Sequence, residues 1–492
     1  MSRPYSDTVK TTDELQISPP AGSVPATSIP LPFFDIFWLI VNPIQRVFFY
    51  NLPNCNVSKF RQTILPNLTS CLSLALRYFY PFAARLVSPP RPGKPYILCS
   101  DGDSVSLTVA ETSLDLDQVS TDLPNDAALL HPLLPKLPPA ESKPHDGGGG
   151  TTASPILAVK ITLFPNSGVC IGFEFLHVAA DGSAFNHFVK SWASICRSGG
   201  KDLSWVEKSP PCLERSLVHD PRNLKDVIME QVWNFAEAWQ DDDESPPRYR
   251  HSGKVRATFV IDREDISRLK AMANRDNRED GKRLPAASAF AVASAMIWTN
   301  LIKSLDLEEE EEKAGDDVSG GKIDSYVFPA DLRGRLDPQL PATYFGNCIG
   351  IKIVSVERRD LLGDDGFVVA AKAIAAGIRG LGGALEEAEK WVTGFGEAFK
   401  SGKVVTVAGS PRLRVYETDF GWGRPRKSEP VHIDSSGAVY FSDARDEERG
   451  GLEFGLVLRK AEMDAFVALF EQRLNQLRQV GRGDATQIGL GS

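Results

Sequence analysis

Residues 169–196 read VCIGFEFLHVAADGSAFNHFVKSWASIC. In the first eight, Val169, Ile171, Phe173 and Phe175 fall on one side of a two-residue period, which predicts a half-buried strand. From Ala184 onward the period changes. Phe185, Phe188, Val189, Trp192 and Cys196 recur at helical spacing, and Asp181 or Ser183 can cap the first turn. His177 to Gly182 is therefore a tight strand-to-helix turn braced by apolar segments, a place where an imidazole is presented rigidly into a cleft. The H-x-x-x-D spacing alone is unspecific. A satisfied core histidine beside a capping aspartate fits it as well as a catalytic base does.

Working outward, the chain alternates the same two textures. A mobile lead-in over 1–30 is expected, then an amphipathic helix over 68–79, strands at 96–99 and 105–110, a flexible Gly/Pro loop over 138–155 and a strand at 156–163. An acidic, proline-punctuated stretch over 209–247 reads as a crossover containing a helical piece at 227–239. Beyond it, strands are expected at 255–261, 323–329, 347–354, 412–416, 438–442 and 452–458. Helices are expected at 263–274, 288–305 and 368–378, with Met463, Phe466, Phe470 and Leu474 marking a last one. No fixed period recurs, which argues against solenoids and propellers. The fold class is mixed α/β with two comparable halves, 1–215 and 251–492, joined by 216–250.

The 492 residues include 64 acidic and 55 basic side chains, a net charge of −9. That balance argues against a diffuse phosphate footprint and hence against nucleic acid as a partner. Asp241 to Glu244 and Glu308 to Glu312 contribute nine carboxylates, and without them the counts balance at 55 each. The excess is thus assigned to two loops. Seven scattered cysteines form no C-x-x-C pair, so reduced thiols are expected and no metal site. The polar N-terminus does not resemble a signal peptide, and 33–41 is too short to span a bilayer. A cytosolic monomer without membrane association is the expectation.

HVAADG at 177–182 together with DFGWG at 419–423 resembles the motif pair of the plant BAHD acyl-CoA-dependent acyltransferases. The resemblance extends over nearly the whole chain, through LPFFDIFWLIVNPIQRVFFY (31–50), LSLALRYFYPFAARL (72–86), PPCLERSLVHDP (210–221) and GLEFGLVLRKAEMDAF (451–466). YFGNC at 344–348 and GSPRLRVYETDFGWG at 409–423 are similar to the branch acylating anthocyanin, flavonoid and other phenolic glucosides. The resemblance implies two domains like chloramphenicol acetyltransferase, the first carrying HxxxD and the second YFGNC and DFGWG, with a channel between them. It implies an acyl-CoA co-substrate and no tightly bound cofactor.

By the same resemblance, His177 is the general base that deprotonates a sugar hydroxyl, which is too weak a nucleophile at neutral pH without one. Asp181 is implied to pair with Arg333 of the segment Asp331-Leu332-Arg333, away from the imidazole. Asp419 is implied to be mainly structural, with catalysis as a second reading, and Gly182, Gly421, Trp422 and Gly423 to shape the site. Ser288 and Arg412 are the implied coenzyme A contacts. Cys348 reads as a core thiol. Ser183 stands where malonyl transferases of this branch often carry a lysine, so malonyl and hydroxycinnamoyl donors both stay open. Other readings are a non-glycoside alcohol or amine acceptor, a thioesterase-like hydrolase and a catalytically silent glycoside-binding relative.

Overall fold

The computed structural model describes residues 5–144, 150–240, 253–274, 285–312, 321–446 and 450–488, with 278–279, 282–283 and 448 besides. Two mixed sheets carry the architecture. The first has six strands in the order Val9–Ile17, Val105–Thr112, Leu157–Phe164, Gly168–Phe175, Ile44–Asn51 and Lys427–Pro430. The second has seven, in the order Ile349–Glu357, Ile323–Asp331, Val404–Gly409, Val439–Asp443, Leu452–Arg459, Lys254–Ile261 and Asn125–Asp126. Each sheet takes one strand from the other side of the crossover. Lys427–Pro430 pairs with Ile44–Asn51, and Asn125–Asp126 pairs with Lys254–Ile261.

Gly168–Phe175 occupies the middle of the first sheet, antiparallel to Leu157–Phe164 and to Ile44–Asn51. Val169, Ile171, Phe173 and Phe175 share the predicted face and pack toward the helix Gly182–Arg197, where Phe175 stacks on Phe185. The strand is nevertheless buried on both faces, not half-buried. The turn Ala127–Leu133 covers the other face so closely that a Cβ on Gly172 would lie 2.4 Å from the Leu133 carbonyl oxygen. A covered second face is typical of central strands and invisible to a two-residue period.

The helices at 65–78, 224–240, 263–273 and 366–379 agree with expectation within three residues at each end. Several expectations fail. The described part of the lead-in, from residue 5 on, forms strands: Val9–Ile17 is an edge strand on Val105–Thr112, and Thr27–Pro30 pairs with Tyr96–Cys99. The 138–155 segment is no free loop, because Glu141–Pro144 and Gly150–Pro155 form an edge hairpin on Arg85–Ser88; the glycines at 147–149 lie outside the described residues. Pro411–Leu413 and Val415–Glu417 are single turns hinged on Arg414 at φ +48°, so no strand forms at 412–416. Glu308 to Glu312 extend the helix Ala289–Glu312 and are not a loop. Glutamate is a strong helix former, and charge runs alone do not end a helix. The Asp241–Glu244 run lies outside the described residues. Gly366–Gly383 has the length and hydropathy of a membrane span, but its Phe367, Ala370, Ala371 and Ile374 are buried in the protein core.

Candidate active site

His177 opens a single turn, His177–Ala179, at the end of the central strand, and Asp181 caps the following helix Gly182–Arg197. The cap is literal: Ala184 N–H donates to Asp181 Oδ1 at 3.0 Å. The other oxygen, Oδ2, accepts from Cys348 N–H at 3.1 Å and meets Arg333 Nη1 at 2.7 Å. Arg333 is itself locked, since its Nη2 donates to the Tyr344 and Gly346 carbonyls at 3.1 and 3.2 Å. All three groups on the Asp181 carboxylate are structural partners. None is the imidazole.

The imidazole is held by Asn347. Asn347 Nδ2 lies 2.9 Å from Asp35 Oδ1, 2.9 Å from the His177 carbonyl and 3.3 Å from the Val178 carbonyl, all of them acceptors. That surrounding fixes the amide orientation, so Oδ1 must be the atom 3.0 Å from His177 Nδ1. An amide oxygen can only accept. Nδ1 therefore carries the ring proton, which leaves Nε2 unprotonated with its lone pair available.

A second buried ion pair braces Asn347 from behind. Asp35 Oδ1 also accepts the Asn347 backbone N–H at 2.9 Å, and Oδ2 lies 3.3 Å from Arg215 Nη1. Burial raises the Asp35 carboxyl pKa, with Arg215 opposing the shift. Arg215 Nη1 further donates to the Tyr344 hydroxyl at 3.1 Å. Gly346 makes room for this arginine: at φ +144° a Cβ would fall 1.5 Å from Arg215 Nη1. Glycine at the centre of YFGNC is thus demanded twice, by the backbone angle and by the guanidinium beside it.

Trp38 lies flat on the His177 ring, centroids 3.7 Å apart and planes 7° from parallel. Burial lowers the imidazole to about 4 from its ordinary 6.5, with its own backbone, Asp181 and Asn347 opposing. The ring is neutral at physiological pH. Cys348 is pushed up to about 12, again by burial, which fits a packed thiol and not a nucleophile. All seven cysteines are free.

His177 faces a cavity of about 2340 Å³ between the halves, far above the roughly 300–1,000 Å³ of an ordinary small-molecule pocket. Asp181, Gly182, Ser183, Ser288, Arg333 and Arg412 also line it. Ser288 Oγ accepts Ala291 N–H at 3.1 Å and so caps the helix Ala289–Glu312. Asp419, Gly421, Trp422 and Gly423 do not line the cavity. Asp419 Oδ1 accepts Gly421 N–H at 2.7 Å and Gly423 N–H at 2.9 Å, and both glycines have φ near +90°. Trp422 stacks on Phe420 and meets Tyr50 edge-on. DFGWG is a self-bonded turn at the seam of the halves. Among the described residues no cluster of metal-ligating side chains is present.

Asn347, Asp35, Arg215 and Trp38 were not legible as site residues in the sequence. Asp35 carried a weak signal, a lone acid inside FFDIFW, and Asn347 another, the one amide in YFGNC.

The Transferase family model matches residues 8–473. A coumaroyl-CoA:anthocyanidin 3-O-glucoside-6''-O-coumaroyltransferase of Arabidopsis thaliana is 38% identical over 95% of this chain and 98% of its own. A malonyl-coenzyme A:anthocyanin 3-O-glucoside-6''-O-malonyltransferase of Dahlia pinnata is 35% identical over 93% and 96%. In fold, the chain is similar to the crystal structure of vinorine synthase, with a TM-score of 0.64 at 21% identity over 93% of this chain and 96% of that one. With both motifs present and a match over almost its full length, the chain belongs to the Transferase family, the BAHD acyl-CoA-dependent acyltransferases.

Proposed function

We propose that the protein transfers an acyl group from coenzyme A to a sugar hydroxyl of an anthocyanin, flavonoid or other phenolic glucoside, with His177 as general base. The observation that carries this is the Nδ1–H tautomer imposed by Asn347, which leaves Nε2 as the acceptor on the cavity wall. In a ternary complex Nε2 takes the hydroxyl proton as the sugar oxygen attacks the thioester carbonyl. The tetrahedral intermediate then collapses, the C–S bond breaks, and the imidazolium returns its proton to the departing thiolate. No enzyme nucleophile is required. The positive charge formed on the ring is hydrogen-bonded by Asn347 Oδ1, while Asp181 favours it only through space and, paired with Arg333, holds the turn.

Two bulky substrates meeting at one imidazole call for a large cavity, and orientation there supplies much of the rate. In this reading Ser288 and Arg412 meet coenzyme A, and Asp419 maintains the turn at the seam. The enzyme works as a cytosolic monomer, a setting in keeping with seven free thiols. The test is incubation with cyanidin 3-glucoside and a panel of acyl-CoAs, reading product mass and free thiol. Acceptor-dependent thiol release that falls by about 100-fold or more in His177→Ala is the expected result. Thiol release independent of acceptor would instead indicate a hydrolase.

A further inference from the structure

Five arginines are buried among the described residues: Arg46, Arg215, Arg256, Arg333 and Arg358. Four of them have a carboxylate within ion-pair distance, supplied by Asp35, by Glu429 and Asp434, by Asp181 and Asp331, and by Asp324 respectively. Arg46, 7% exposed, has none among the described residues. Its Nη1 donates to two neutral oxygens, Ser428 Oγ at 2.9 Å and the Tyr440 hydroxyl at 3.0 Å. The guanidinium also sits over the Tyr440 ring at 5.1 Å and the Phe48 ring at 5.9 Å. Hydroxyls and ring faces soften the burial of a cation but do not neutralise it.

The reason lies in strand register. Arg46 pairs with Pro430 and Val47 with Glu429, so Glu429 projects from the opposite face of the sheet and is taken by Arg256 and Lys427. On its own face Arg46 lines the cavity that holds His177. It is directly opposite Phe173, four residues before His177 on the neighbouring strand, hence within roughly 13 Å along the sheet. The same cavity wall carries His432, Ser435 and Ser436. His432 Nδ1 faces the Gln45 carbonyl at 3.1 Å, which places its proton on Nδ1. Aromatic side chains line the cavity on several elements, among them Phe48 on the strand of Arg46 itself, while Phe37, Phe395 and Phe399 form a contiguous cluster on other elements.

We infer that Arg46 is a carboxylate anchor in the wall of the His177 cavity, selecting a donor whose acyl chain ends in a free carboxylate, of the malonyl-CoA type. This rests on the acyltransferase reading above and specifies its donor. A buried, preoriented guanidinium without a counter-ion is completed by a planar anion bound bidentately. It also supplies, from a different strand, the cation that Ser183 does not provide beside HVAADG. An apolar hydroxycinnamoyl chain would leave the charge unmatched.

The test compares direct binding of malonyl-CoA, acetyl-CoA and coumaroyl-CoA to the full chain by calorimetry, in wild type, Arg46→Met and Arg46→Lys. Malonyl-CoA and acetyl-CoA carry the same phosphates and differ in the carboxylate. The malonyl-to-acetyl affinity ratio is expected to fall by about tenfold or more in Arg46→Met and to recover in part in Arg46→Lys. A parallel loss for all three thioesters would assign Arg46 to phosphate binding or to packing, and overturns the inference. So does a ratio unchanged by either variant. Turnover of glucoside and glucuronide acceptors separates the remaining source: a defect confined to the glucuronide places the carboxylate on the acceptor and equally overturns it. Transfer from coumaroyl-CoA but not malonyl-CoA by the wild type sinks this inference and leaves the general function standing, whereas no transfer from any donor sinks the function itself.

Discussion

Trp38 covers one face of the His177 imidazole, with 3.7 Å between ring centroids. The ring is therefore shielded from water on that side while its Nδ1 is engaged by Asn347. Desolvation disfavours the charged form, and it is the largest cause of the fall to about 4.

One consequence is a pH profile. The neutral base is present wherever the pH exceeds about 4, so kcat/KM should stay level from about pH 5.5 to 8 and fall only on approaching pH 4. In Trp38→Ala, water regains the ring and the acid limb should move up toward about 6.5. A limb that stays in place would show that the indole does not control the base. Stability should follow a different course. His177, His187 and His432 are all lowered to about 4 by burial. Below about pH 6.5 the unfolded chain binds protons that the folded chain refuses, so stability should decline as pH falls from there to about 4.

Asn347→Leu removes the acceptor that selects the tautomer. Turnover should drop by about tenfold or more with little change in acceptor KM, because Nε2 no longer holds the lone pair in every molecule and the imidazolium loses its acceptor. Nitrogen-15 chemical shifts of His177 supply the independent readout. They should report Nδ1–H in the wild type and a tautomer mixture in the variant; an unchanged tautomer would remove Asn347 from the positioning role.

Asp181 and Arg333 are 1% and 5% exposed in their side chains, so either charge left alone is costly. Asp181→Asn and Arg333→Met should each destabilise the fold by about 3–5 kcal/mol, and the double variant by less than their sum. Denaturant unfolding of all four proteins gives the coupling. A rate loss in Asp181→Asn with unchanged melting would transfer this carboxylate from architecture to the imidazole.

Asp419→Ala leaves the Gly421 and Gly423 N–H groups without their acceptor. Because both glycines are exposed, water replaces part of the loss, and about 1–2 kcal/mol of destabilisation is expected. The folded fraction should keep kcat within about threefold. A collapse of kcat at normal stability would mean that Asp419 reaches the reacting atoms.

Much of the fold is local physics and could be read in one dimension. The change of period at His177 marks strand, turn and helix because each side chain's direction follows from its own backbone. The apolar helix at 366–379 and the apolar stripe Met463, Phe466, Phe470 and Leu474 are legible for the same reason. The failures share a cause as well. Val9–Ile17 pairs with Val105–Thr112, Gly150–Pro155 pairs with Arg85–Ser88, and the turn at 411–417 bends at Arg414, none of which a local pattern marks.

The sequence by itself determined the mixed α/β class, the turn carrying His177 and Asp181, and the motifs that mark the family. Those features depend on neighbours in the chain or on short patterns. Only the tertiary structure decided that Asn347 and not Asp181 meets the imidazole, that Trp38 and Asp35 from the first 40 residues complete the site, that Asp419 stays outside the cavity, and that Arg46 alone among the buried arginines described lacks a carboxylate. The physical reason is separation. His177 and Asn347 are 170 residues apart, and Asp35 and Asn347 are 312 apart. Hydrogen bonds and desolvation act through space once both halves have folded together, and no periodicity along the chain encodes them.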